Sequence, residues 1–144
     1  EQLDWVVASV HTSFRISPKK MTERVITAIE NPQVDCIGHP TGRLIGKREP
    51  YEIDIEAIAE AAAANRTMIE INGNPNRRDL SESHARLAAA AGVKIAVNTD
   101  AHGVDTLANI QYGLATARRA WLTKKDIANT RTWSQLLKLR GRTS

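Results

Sequence analysis

An α/β fold of four consecutive strand–helix units is what this sequence predicts, on three observations. Short apolar runs end near His11, His39, Asn72 and Asp100, at intervals of 28, 33 and 28 residues, and a period close to thirty is that of one βα unit. The runs are apolar throughout instead of alternating, as expected where a parallel sheet is covered on both faces. Between them lie segments with apolar residues at helical spacing and with start and stop signals.

The first strand is read in Trp5-Val-Val-Ala-Ser-Val-His11. The first helix takes Ser17 as N-cap and Pro18 in its first turn, sets Met21, Val25 and Ile29 on one face, and stops at Asn31-Pro32. The second strand lies in Val34-Asp-Cys-Ile-Gly-His39. Asp54 caps the second helix, which carries Ile55, Ile58, Ala59 and Ala62 to about Arg66. The third strand ends near Asn72, and the third helix starts after Ser81 and stops at Gly92, a good C′ residue, with Ala85, Ala88 and Ala91 small enough for close packing. The fourth strand runs from Val93 toward Asp100, and Leu107, Ile110, Leu114 and Ala117 mark the fourth helix. Lys124 to Ala128 and Thr132 to Leu139 read as two short helices, the last held down by Trp133 and followed by a basic tail to Ser144.

With 144 residues, 42% of them hydrophobic, the chain is the size of one domain with a real core, and no segment is apolar enough to cross a membrane. A soluble, cytoplasmic protein is expected. A closed eightfold β/α barrel needs about 250 residues, so strands belonging to a barrel would make up only part of one. The 20 basic against 16 acidic residues permit a polyanionic partner without singling one out. The single cysteine, Cys36, lies in an apolar run, which excludes a disulfide framework and a Cys-x-x-Cys zinc ribbon and favours a reducing compartment. No signal peptide or initiating Met opens the chain, and its start reads as a cut through a longer protein. Phosphate-loop and dinucleotide glycine signatures are absent, as is a His-Glu-x-x-His helix.

The chemistry is expected at the strand ends. Asp100 and His102 form an Asp-x-His pair on one face of extended chain, and His11 and His39 close two other strands. Singly, such residues are ordinary caps or hydrogen-bonded loop groups. Repeated at several strand ends, they become candidate metal ligands, because catalytic residues gather at the carboxyl ends of parallel strands. Three imidazoles and a carboxylate suit zinc, manganese or iron. Phosphoryl chemistry commonly uses two ions about 4 Å apart, and four ligands are too few for that arrangement. His84, in the first turn of a helix with no strand before it, reads as surface.

After His39 comes the basic loop Pro40-Thr-Gly-Arg43, where an arginine can grip a phosphate or simply be solvated. Asn72, Arg77 and Arg78 follow the third strand in the same way. Glu70 is a candidate base or a partner behind a ligand histidine, or else a carboxylate paired with an inward base. Arg118, Arg119 and Trp121, with Arg131, Lys138, Arg140 and Arg142, are candidates for docking nucleic acid, although a solvated face explains them as well.

Several of these segments together resemble a known family. Val7-Ala-Ser-Val-His11, Ile37-Gly-His-Pro-Thr-Gly-Arg-Leu44, Glu70-Ile-Asn-Gly-Asn-Pro75, Thr99-Asp-Ala-His102 and Tyr112-Gly-Leu-Ala-Thr-Ala-Arg-Arg-Ala-Trp121 are similar to the polymerase and histidinol phosphatase (PHP) domain at the C-terminus of bacterial family X DNA polymerases. The resemblance implies that residues 1–144 form the C-terminal half of a distorted (β/α)7 PHP barrel holding up to three manganese or zinc ions. It places His11, His39, Asp100 and His102 among the metal ligands. It further implies an opening His-x-His pair, another histidine and a bridging glutamate on strands ahead of Glu1. Arg78 stands where the family would have an apolar residue.

The activity implied is a metal-dependent phosphoesterase: a 3′-5′ exonuclease that processes DNA ends in bacterial base excision repair, its partners being DNA 3′ ends met near the nucleoid. On this reading the isolated chain is inactive, and Arg43, Asn72 and Arg77 contact phosphate or DNA. The alternatives are a stand-alone phosphomonoesterase of the histidinol-phosphatase type and a noncatalytic nucleic-acid-binding module. Half a barrel should also leave two strand edges and a core face bare, which predicts self-association.

Overall fold

The computed structural model describes residues 3–141. Among them the chain alternates as expected through β1 (Val7–Ala8), α1 (Pro18–Ile29), β2 (Cys36–Ile37), α2 (Ile55–Asn65), β3 (Met68–Asn72), α3 (Glu82–Ala90), β4 (Ile95–Asn98) and α4 (Ile110–Arg119), then a short α5 (Trp133–Leu137). The strands form one parallel sheet in the order β1-β2-β3-β4. Each strand thus pairs with the next after a helical crossover, a progression compatible with part of a β/α barrel.

The helix starts follow the side chains read as caps. Ser17, Asp54 and Ser81 each accept a hydrogen bond from the backbone N–H three residues on, which satisfies one of the orphan donors of the first turn. The second helix closes on Arg66 in the left-handed region, and Gly92 follows the third at φ +96°.

Period-two alternation divides the sheet into two faces. Ile69 and Ile71 of β3, with Ile95 and Val97 of β4, meet Val25, Ile29, Ile58 and Ala85 in the main core under the helices. The opposite face is apolar at its amino end, where Cys36, Met68, Ala96 and Ala128 pack with Trp5, Leu136 and Leu139. Toward its carboxyl end that face becomes polar, carrying Glu70, Asn72 and Asn98. The core face expected to be bare is therefore covered at its apolar end by the C-terminal segment. Trp133, half exposed, tilts against Trp5 with ring centroids 6.5 Å apart.

Two further expectations are corrected. Lys124 to Ile127 is not helical and only a 3-10 turn (Ala128–Thr130) follows: Ile127 lies parallel beside Ile95, whose N–H donates to the Asp126 carbonyl at 2.9 Å. Asn129 extends this seal, accepting from Val97 N–H at 2.7 Å and donating to the Val97 carbonyl at 3.1 Å. One amide side chain does what a neighbouring strand would do, so the β4 edge is closed. The second correction concerns α4. Its apolar positions Leu107, Ile110 and Leu114 mark a helical segment, but they face out, with Leu107 57% exposed in the 3-10 turn (Val104–Asn109) that leads into it. The buried face is Gly113, Thr116, Ala117 and Ala120. A Cβ at Gly113 would lie 2.6 Å from Val97 Cγ1 and 3.3 Å from Gly73 Cα, so only a helix with a small-residue face can lie this close to the strand ends.

Candidate functional site

β1 and β2 run parallel, and their carboxyl ends deliver His11 and His39 side by side, ring centroids 5.3 Å apart and nearly edge to face. His11 is exposed, and its Nε2 lies 2.7 Å from the Ser9 hydroxyl. His39 is buried and turns the chain at φ +32°, a conformation that costs a non-glycine residue about 1 kcal/mol or more. Glu70 of β3 holds that turn in place by accepting the His39 backbone N–H at 2.6 Å. Burial, followed by the positive charge of Arg77, pushes His39 down to a pKa of about 4. Its imidazole is therefore neutral near pH 7, and its buried Nδ1 has no hydrogen-bond partner.

Glu70 is satisfied by donors instead of a base. Besides His39, it accepts from Asn72 Nδ2 at 3.1 Å and Asn98 Nδ2 at 3.0 Å, the two asparagines facing each other in register across β3 and β4. Burial still raises its pKa above the usual glutamate value, against the lowering effect of these bonds. Glu70 thus positions the His39 backbone rather than its ring. Asn72, expected to contact phosphate, is fully buried and accepts from Asn74 N–H at 2.9 Å.

Beyond β4, Asp100 also adopts a left-handed backbone, φ +54°, and its Oδ2 takes Arg77 Nε at 3.2 Å. His102, exposed, places Nδ1 2.8 Å from the Asp100 carbonyl oxygen. Arg43 directs its guanidinium to the carbonyls of Arg77, at 2.9 Å, and Arg78, so it ties the loop after His39 to the loop after β3. Arg78, out of place in the family pattern, supplies that second carbonyl at φ +46°. The same two loops meet at Asp79, which accepts Thr41 N–H at 2.9 Å and whose burial lifts its pKa to about 6. Tyr51 roofs the loop: a Cβ at Gly42, φ +63°, would fall 2.3 Å from Tyr51 Cε1, so the turn requires glycine. His84 is half-buried instead of surface, its pKa lowered by burial and then by Arg43.

Sequence reasoning passed over Ser9, Asp79 and Asn98. Asn98 had a legible signal, an asparagine ending an apolar strand exactly as Asn72 does one unit earlier. Asp79 had none, because its partner lies 38 residues away.

The donor chemistry fits a divalent ion in part. Two adjacent imidazoles, one with an unpartnered buried nitrogen, and a nearby carboxylate are the ligand types such an ion takes. Among the described residues, no three His, Cys, Asp or Glu side chains converge closely enough to hold one. The geometric reason is visible: Asp100 is turned to Arg77 and His102 folds back on its own loop.

The fold is thus a parallel α/β sheet with imidazoles gathered at its carboxyl ends, where α/β enzymes carry their catalytic groups. The relatives are named as an exonuclease and as probable phosphatases. Over 131 residues, 91% of this chain, it is 42% identical to the DNA polymerase/3′-5′ exonuclease PolX of Bacillus subtilis, covering 23% of that protein. It is 36% identical over 139 residues to a probable phosphatase of Thermoanaerobacter, covering 90% of this chain and 54% of the relative. A probable phosphatase of Caldanaerobacter subterraneus is 39% identical over 111 residues. No protein-family profile matches the chain. The resemblance to the PHP domain of bacterial family X DNA polymerases is thereby shown, and the chain spans about a quarter of the first of these relatives and about half of the second.

Proposed function

We propose that residues 1–144 are the C-terminal portion of a PHP-type phosphoesterase domain, completed by further strands into a distorted (β/α)7 barrel, whose longer parent hydrolyses DNA from 3′ ends. The observation that carries this reading is the His11–His39 pair at adjacent strand ends, with His39 neutral and its Nδ1 unpartnered, in a chain 42% identical to a polymerase/exonuclease. His11, His39, Asp100 and His102 are the residues that would hold manganese or zinc. Bound there, such ions supply a water of lowered pKa and polarise the phosphoester.

The chain's own residues do the rest. Glu70 fixes the His39 turn, and the Asn72–Asn98 pair keeps Glu70 in one orientation. Arg43 locks two site loops together, which leaves Arg77, partly exposed beside Asp100, as the arginine placed to meet a phosphate oxygen. Exchange of Arg77 from Asp100 to substrate would free the carboxylate for a cation.

The test is calorimetric and enzymatic. Mn2+ titration of the chain should show weak binding that His39→Ala and Asp100→Ala each lower by roughly tenfold or more. Hydrolysis of a 3′-recessed oligonucleotide with Mn2+ should be near background for the chain and restored in the longer protein. Robust nuclease activity from the chain alone, or Mn2+ binding indifferent to both substitutions, would refute the reading. The probable phosphatases give a second reading, a small phosphomonoester substrate, which hydrolysis of such esters without hydrolysis of DNA would establish.

A further inference from the structure

At the opposite end of the sheet from the histidines, two cavities of about 330 and 670 Å³ adjoin, sharing Lys138 and Leu139 in their walls. The first opens where β3 and β4 begin, between Thr67, Met68, Val93 and Lys94. The second runs along the segment that seals β4, from Lys124 to Gln135. Their walls carry Arg66, Lys94, Lys124, Lys125, Arg131 and Lys138, and no carboxylate. In a chain with 20 basic and 16 acidic residues, that is a sorting of charge rather than an average surface.

Among the described residues, no salt bridge joins these cations to a carboxylate. The ion pairs among the described residues are Arg77–Asp100 and Arg119–Glu82, neither of which touches this groove. The Thr123 N–H, at 2.8 Å, and hydroxyl, at 2.9 Å, together with Lys94 and Arg131 hold the Asp126 carboxyl below its usual pKa, so Asp126 offsets part of the charge of those two cations and leaves Arg66, Lys124, Lys125 and Lys138. Arg131 is held rigid, donating to the carbonyls of Lys125, at 2.8 Å, and Ile127. The backbone of Arg66 is held as the left-handed cap of α2.

We propose that this groove binds the phosphate backbone of duplex nucleic acid, as a second contact surface remote from the histidine site. Contiguous, unpaired cations along an open groove match a repeating anion better than a single one. The walls contain no Phe, Tyr or Trp on which an unpaired base could stack, so the partner is a duplex read through its phosphates and not a single strand. The choice of DNA as the polyanion rests on the function proposed above; the groove and its charge do not.

The experiment is fluorescence anisotropy of a short labelled DNA duplex with the full chain in EDTA, so that the metal site plays no part. Affinity should fall steeply between about 50 and 200 mM salt. The double variant Lys124→Glu with Lys138→Glu should lower affinity roughly tenfold or more and reduce the salt slope by about 2, with an unchanged melting temperature. If that variant folds poorly, the milder Lys124→Gln with Lys138→Gln takes its place. Duplex binding by a chain that takes up no Mn2+ would support the groove while refuting the hydrolytic reading. Affinity indifferent to these substitutions or to salt, or a single strand or heparin bound as tightly as the duplex, would overturn it.

Discussion

Glu70 and Asp79 are buried carboxylates with different dependences. Glu70 serves three donors at once, the His39 N–H and the amides of Asn72 and Asn98, so Glu70→Ala leaves three buried groups unmatched. The expected loss is about 2–4 kcal/mol in urea denaturation, with Glu70→Gln, which keeps one acceptor oxygen, losing less. Asp79, with a folded pKa of about 6 against roughly 4 unfolded, retains a proton in the folded state that the unfolded chain releases. Its contribution therefore falls as pH rises through that window and is flat above it. Asp79→Asn, which mimics the neutral form and still accepts from Thr41, should gain roughly 2–3 kcal/mol on the parent chain between pH of about 4 and 7. A denaturation series across that range checks it, and parallel pH profiles for the two proteins would count against the assignment. None of these networks was legible in the sequence: a carboxylate within an apolar run announces burial but not the donors, which come from other strands.

Elements were more legible than their packing. Ser17, Asp54 and Ser81 were readable as caps because capping is local, a side chain three residues from its donor. The orientation of α4 was not, since spacing marks a helix without saying which stripe meets the sheet, and here close approach to Gly73 selects the small residues. Gly113→Ala should cost about 1–3 kcal/mol by thermal denaturation despite alanine's better helix propensity, because its methyl meets Val97 and Gly73. The β4 edge was misread for the same reason: Asn129 is an ordinary polar residue until folding sets it against Val97. Asn129→Ala should expose the Val97 N–H and carbonyl at an edge, raising that amide's hydrogen-exchange rate and costing about 1–2 kcal/mol.

For the whole molecule, the closing of one edge leaves the other as the place where the fold is open. The four histidine and aspartate positions singled out from the sequence do stand at one end of a parallel sheet, since strand ends and period fix which end a residue occupies. What the sequence could not show is that the two walls of the sheet end differently. On the β1 side the carbonyls of Val6 and Ala8 accept from β2, from Cys36 and Gly38 respectively, so by alternation the Val7 N–H and carbonyl point away from the sheet. Val7 is 45% exposed, and among the described residues no strand pairs with that side. An unpaired apolar edge is a template for another strand, from the rest of a barrel or from a second copy. The chain alone is therefore expected to associate with concentration, sedimenting above its mass of 15.9 kDa. Val7→Pro removes the outward N–H while sparing the bonds to β2, and proline is tolerated at such edge positions. That variant should sediment as a monomer with β2 pairing intact, whereas an association unaffected by it would place the contact elsewhere, with the exposed Leu107 and Leu114 of the α4 face next to be tested.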